Sequence, residues 1–95
     1  MKTNKIHITH DDITWGSYTG GYQFFVDCIN TQKDLDKCVL LENILFDEYH
    51  LFADVDDDLG ILTVCINSDY TEKSSYELED ILITEINKLF EPNKK

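Results

Sequence analysis

The sequence predicts an α+β domain: one antiparallel sheet of about four to five strands, with one or two helices packed across one face. Three observations lead there. Short segments alternate apolar and polar residues and are bounded by Gly- and Asp-rich turns. One of them, "YHLFADVDDDLGILTVCIN" (residues 49–67), reads as a hairpin on its own. The C-terminal stretch carries a helix-start signal followed by a single apolar stripe.

Taken in order, "KIHIT" at residues 5–9 alternates and predicts a first strand. Thr19-Gly20-Gly21 marks a tight turn, because glycine takes the positive φ that such turns demand. Ile13 to Tyr18 and Tyr22 to Ile29 are then the arms of a hairpin. The second arm has two readings. Tyr22, Phe24, Val26 and Cys28 alternate as in a strand, whereas Tyr22, Phe25, Val26 and Ile29 fit helical spacing. Its aromatic and β-branched content favours the strand.

A helix over 32–48 follows, capped by Thr31 with Asp34 in its first turn. Leu35, Cys38, Val39, Leu45 and Phe46 share its apolar face, which Glu42 interrupts. The run "CVLLENILF" (38–46) also fits a buried strand. After the hairpin, Ser74-Ser75-Tyr76-Glu77 forms a capping box that opens a helix over about 75–91. Leu78, Ile81, Leu82, Ile86, Leu89 and Phe90 make its stripe. Pro92 ends it, and Lys88, Lys94 and Lys95 suit the negative end of its dipole. The order expected is three strands, helix, hairpin, helix, in a single compact domain over 1–95 with a short disordered C-terminal tail.

Composition bounds the function. Apolar residues are 42% and aromatic residues 12%, enough to order a chain of 95 residues around one modest core. No apolar run approaches the ~20 residues that span a bilayer, and the N-terminus lacks the apolar core of a secretory signal. A cytoplasmic protein without membrane contact is expected. Cys28, Cys38 and Cys65 are odd in number, widely spaced and set in apolar runs, which argues for reduced, buried thiols rather than a disulfide framework or a zinc site.

Charge is the strongest signal. Nineteen acids face eight lysines, arginine is absent, and the net charge is -11. Such a surface repels nucleic acid and anionic lipid and attracts basic partners. Without arginine the chain also lacks the bidentate reader of phosphate.

The densest acidic stretch, Asp54, Asp56, Asp57 and Asp58, lies at the predicted hairpin tip. Read as a calcium loop from Asp54, it puts Leu59 where the turn needs Gly and Cys65 where the cage needs a bidentate Glu. Read as catalytic carboxylates, it lacks the cleft that raises one pKa. His7 and His10, three apart on a predicted strand, point to opposite faces and make a loose metal pattern beside Asp11 and Asp12. Ser17 in "WGSYTGG" is not a nucleophile elbow, and the glycines there are not a phosphate loop.

The reading that remains is a binding protein rather than an enzyme, with no cofactor and no metal. Its expected partner is a basic protein, a nuclease or other toxin, and its expected class is an immunity protein that covers the active or nucleic-acid-binding surface. The partner face is expected at Asp54, Asp56, Asp57 and Asp58, with Trp15, Tyr18, Tyr22 and Tyr49 as aromatic anchors. A phage-type DNA mimic that inhibits a defence nuclease has the same surface chemistry. Alternatives of another class are a small metal-binding or enzymatic domain, which needs a converging buried cluster, and a structural subunit, which needs a large apolar outer patch.

Overall fold

The computed structural model describes residues 7–16, 20–27, 29, 31–57, 61–67 and 71–90. It holds strands β1 (Ile13–Gly16) and β2 (Gly21–Val26), helices α1 (Gln32–Cys38) and α2 (Leu40–Tyr49), strands β3 (Ala53–Asp56) and β4 (Leu62–Asn67), and helix α3 (Ser75–Phe90). The four strands form one antiparallel sheet in the order β1-β2-β4-β3. The α+β class therefore holds, with the two hairpins joined through the central β2–β4 pair.

Alternation sorts the sheet into two faces. Phe24 and Val26 of β2 and Leu62, Val64 and Ile66 of β4 are fully buried. They form one core with Leu35 and Cys38 of α1, Leu41 and Leu45 of α2, and Leu78, Leu82 and Ile86 of α3. The opposite face carries the rows Thr14–Phe25–Thr63–Asp56 and Gly16–Gln23–Cys65–Asp54. On that face the Phe25 ring lies over Gly16, where a Cβ would come within 2.6 Å of it. An aromatic ring thus covers the backbone that glycine leaves bare.

The helix ends follow the sequence signals. Thr31 Oγ1 accepts the Asp34 N–H at the start of α1. At α3, Ser74 Oγ accepts the Glu77 N–H and the Glu77 carboxylate accepts the Ser74 N–H, both bonds of the capping box. Leu78, Leu82 and Ile86 are buried and Ile81, Leu89 and Phe90 half-buried, so the stripe faces the core. Each of the three fully buried residues contributes roughly 1.5–3 kcal/mol before ordering entropy is subtracted.

Three expectations change. First, the segment 38–46 is helical, but the helix predicted over 32–48 is two helices meeting at Val39. The Val39 N–H reaches back to the Asp36 carbonyl and the Glu42 N–H to that of Val39, both three-residue steps. The core contacts Leu35, Cys38 and Leu41 recur every three residues, a spacing that a tightened turn keeps on one face and a regular α-helix does not. In consequence Val39 and Phe46, predicted on the apolar face, are 55% and 49% exposed.

Second, the strand predicted over 5–9 is not one where it is described. The Ile8 N–H donates to Asn87 Oδ1 (2.8 Å) and the Asn87 amide donates to the Ile8 carbonyl (3.0 Å). One side chain on α3 thereby takes the place of a neighbouring strand, and Ile8 is fully buried. A single 3-10 turn over His10–Asp12 follows, capped by Thr9.

Third, residues 49–52 are not strand. Tyr49 closes α2, and His50 adopts the left-handed conformation (φ 58°, ψ 37°). The N–H groups of His50 and Leu51 return to the carbonyls of Phe46 and Leu45. Residues 91–95, where a disordered tail was expected, lie outside the described residues.

Candidate functional site: an acidic groove along the β3 edge

Strand β3 places the aspartates. Ala53 and Val55 turn toward the core side and are half-buried, so Asp54 and Asp56 project from the opposite face and are exposed. These two are therefore strand residues rather than tip residues. They stand directly opposite Cys65 and Thr63 of β4. Asp57 follows the strand, and its Oδ2 accepts the Gln32 side-chain N–H at 2.8 Å. The same Gln32 nitrogen donates to Asp36 Oδ1 at 2.8 Å, so one neutral amide holds carboxylates of α1 and of the β3 end together. Asp58 lies outside the described residues.

Beside this edge runs a groove of about 370 Å³, formed by Glu42, Asn43 and Phe46 of α2, residues Leu51 to Asp54, and Cys65 and Asn67 of β4. Its volume falls in the range of small-ligand sites. Phe46 and Phe52 meet in it with ring centroids 5.4 Å apart at 55°, and each is 49% exposed. Glu42 reaches across from α2, its Oε2 accepting the Val55 N–H of the edge strand at 2.9 Å. Burial pushes the Cys65 thiol up from its ordinary pKa, the Asp54 and Asp56 charges push the same way, and a hydrogen bond with Gln23 opposes them. The thiol is therefore held neutral, the opposite of an activated nucleophile.

Sign of charge singles this region out. Between Lys37 and Lys73 the chain has nine acidic residues and no lysine or arginine. That stretch builds α2, β3 and β4, the elements that line the groove. The groove thus joins carboxylates to exposed aromatic faces, the two groups that attract an organic cation.

The aromatic residues predicted as anchors lie elsewhere. Trp15 stands on β1, at the opposite edge of the sheet, three strand spacings or roughly 14 Å from β3. It is 42% exposed, edge-on to Phe24 and against Tyr76 at 5.1 Å. Tyr22 is half-buried against the core. Tyr49 is half-buried as well, its hydroxyl donating to Glu85 at 2.5 Å; that carboxylate and burial push its pKa up to about 12. Tyr18 lies outside the described residues. The structure thus brings Asp54 together with Phe46 and Phe52, which sequence patterning did not select.

A second polar cluster was also not foreseen. Glu79 of α3 is only 6% exposed, and it accepts the Trp15 indole N–H at 2.6 Å and the His10 Nδ1–H at 2.5 Å. The other His10 nitrogen lies 3.2 Å from Asp80. Glu79 first, then the Asp80 and Asp11 charges, raise the His10 pKa above its ordinary 6.5. Glu85, 5% exposed, pairs likewise with Tyr49 and with Lys88 at 3.4 Å.

Among the described residues no three His, Cys, Asp or Glu side chains converge as a metal site would require. Nor is any described helix long and apolar enough to cross a membrane. No protein-family model matches the chain, and no curated protein or solved structure matches it.

Proposed function

We propose that this chain is a small acidic binding protein that acts by covering the basic surface of a nucleic-acid-handling partner, as an immunity protein does against a toxin nuclease. The observation that carries the reading is that the stretch from residue 38 to residue 72 has no lysine and supplies the residues lining a groove that holds Glu42, Asp54 and an exposed aromatic pair. A surface of one sign speeds encounter with a partner of the other sign and excludes partners of its own sign. Exposed aromatic rings add the contact area that charge alone does not supply. In this reading the chain binds no nucleic acid, needs no cofactor and catalyses nothing; occupancy of the partner is the activity.

The test is capture followed by inhibition. The tagged chain is incubated at low salt with nuclease-treated lysate of its source cells, and each captured protein is purified and assayed for nucleic-acid cleavage with and without the chain. A captured basic protein whose cleavage is abolished at a one-to-one ratio supports the reading. Capture that persists unchanged at high salt, or leaves cleavage unaffected, refutes it. If the inhibited protein is a defence nuclease displaced from its DNA, the DNA-mimic form of the same chemistry applies.

A further inference from the structure

The groove is distinguished by its lining residues as well as by its charge. Its lining contains two carboxylates, Glu42 and Asp54, and no basic residue. Phe46 and Phe52 are in contact with each other, so a ligand lies across the outer face of the pair rather than between the rings. Elsewhere in the chain a cation already lies on an aromatic ring: Lys37 Nζ sits 5.2 Å over Phe90. Glu42 uses Oε2 for the Val55 N–H, and a carboxylate accepts on both oxygens, so it retains capacity for a second donor. Since Val55 N–H is already taken, the groove favours a side chain over an added strand.

We infer that the groove between α2 and β3 seats one arginine side chain of the partner, with its guanidinium plane on the Phe46–Phe52 pair and its N–H groups on the Glu42 and Asp54 carboxylates. Arginine fits better than lysine because its plane both stacks on aromatic faces and forks to carboxylates, and because it is less strongly hydrated. This inference rests on the acidic-binder reading and adds to it the identity of the anchoring residue.

The experiment titrates N-acetyl-arginine methylamide into the isotopically labelled full chain at low salt, following backbone amide shifts by NMR. The matching lysine and citrulline compounds are run in parallel. The arginine compound is expected to move the amides of Glu42, Asn43, Phe46, Phe52 and Asp54 along one saturating curve. The lysine compound should bind more weakly, and neutral citrulline should not saturate. Phe46→Ala, at an exposed position, should weaken arginine binding about fivefold. Asp54→Asn, also exposed, should weaken it similarly and decides the matter if the Phe46 variant does not fold. Absence of saturable arginine binding overturns the inference. So do shifts equal for arginine and lysine and spread over Asp34, Asp36 and Asp80, or affinity unchanged in the folded variants. Those results leave the acidic-binder reading standing, which falls only by the capture and inhibition assay.

Discussion

Glu79→Gln is expected to destabilise the fold by about 1–2 kcal/mol and to flatten its pH dependence above pH 6.5. Glu79 is nearly buried, and its charge is met by the Trp15 indole N–H and the His10 ring. Hydrogen bonds to a charged group contribute roughly 1.5–3 kcal/mol. Trp15 is 42% exposed and the His10 side chain 64%, so water compensates part of the loss, which brings the expected cost down to that range. Glutamine keeps the shape and one acceptor oxygen but loses the charge. The pH effect has a definite sign. His10 has a folded pKa above 6.5 because of Glu79, so its contribution is complete below pH 6.5 and fades as pH rises through the folded value. Without the carboxylate most of that slope disappears. The chain has one tryptophan, and it is a member of the cluster, so its fluorescence in a urea titration reports the transition directly. With a urea slope of about 1.5 kcal/mol per M, the midpoint should fall by roughly 1 M. An unchanged midpoint, or a variant that keeps the full slope from pH 6.5 upward, would refute this account of the cluster.

Leu82→Ala should cost about 2–5 kcal/mol in the same titration, as fully buried leucines do, whereas a change under about 0.5 kcal/mol would mean that the α3 stripe is not core. His50→Gly should stabilise by about 1 kcal/mol, because His50 sits at φ 58° where a side chain is penalised and glycine is not; a lower melting temperature would refute it. Replacing Asp54, Asp56 and Asp57 together with Asn should slow association with the captured partner more than it speeds dissociation, with the difference shrinking as salt rises. Surface plasmon resonance at two salt concentrations checks this, and unchanged rates at both would place the partner face elsewhere.

What the sequence made legible was local. The Ser74–Glu77 box and the Leu78–Leu82–Ile86 stripe specify α3 within a few residues of its observed bounds, because cap and stripe lie in one segment. In β2, Phe24 and Val26 are buried while Phe25 covers Gly16 on the other face, so strict alternation was the correct period and helical spacing a coincidence. What stayed hidden depends on distant partners. Nothing near Glu79 announces that Trp15, sixty-four positions away, will bury it. Nothing near Ile8 announces that Asn87 will stand in for a strand. The groove was missed for a related reason. Phe46 reads as core on a continuous helix, but beyond the tightened turn at Val39 it is exposed and meets Phe52. Tyrosines are expected as anchors because interface hot spots favour them, yet Tyr22 and Tyr49 use their rings to pack against the core.

The bond from Glu42 to the Val55 N–H has a consequence for how this protein behaves in solution. Among the described residues β3 is an edge strand of the sheet, and an open edge strand invites another copy of the chain to pair with it. Glu42 occupies one of the donors that such pairing would use. The residue therefore takes up an edge donor while lining the groove. A Glu42→Ala variant would lose both roles at once, and any oligomers it formed would hide the groove and imitate a loss of affinity. Concentration-dependent sedimentation of that variant, beside the wild type, would separate the two effects. The same coupling sets a limit on redesign, since a carboxylate that lines the groove is also the one that takes up an edge-strand donor.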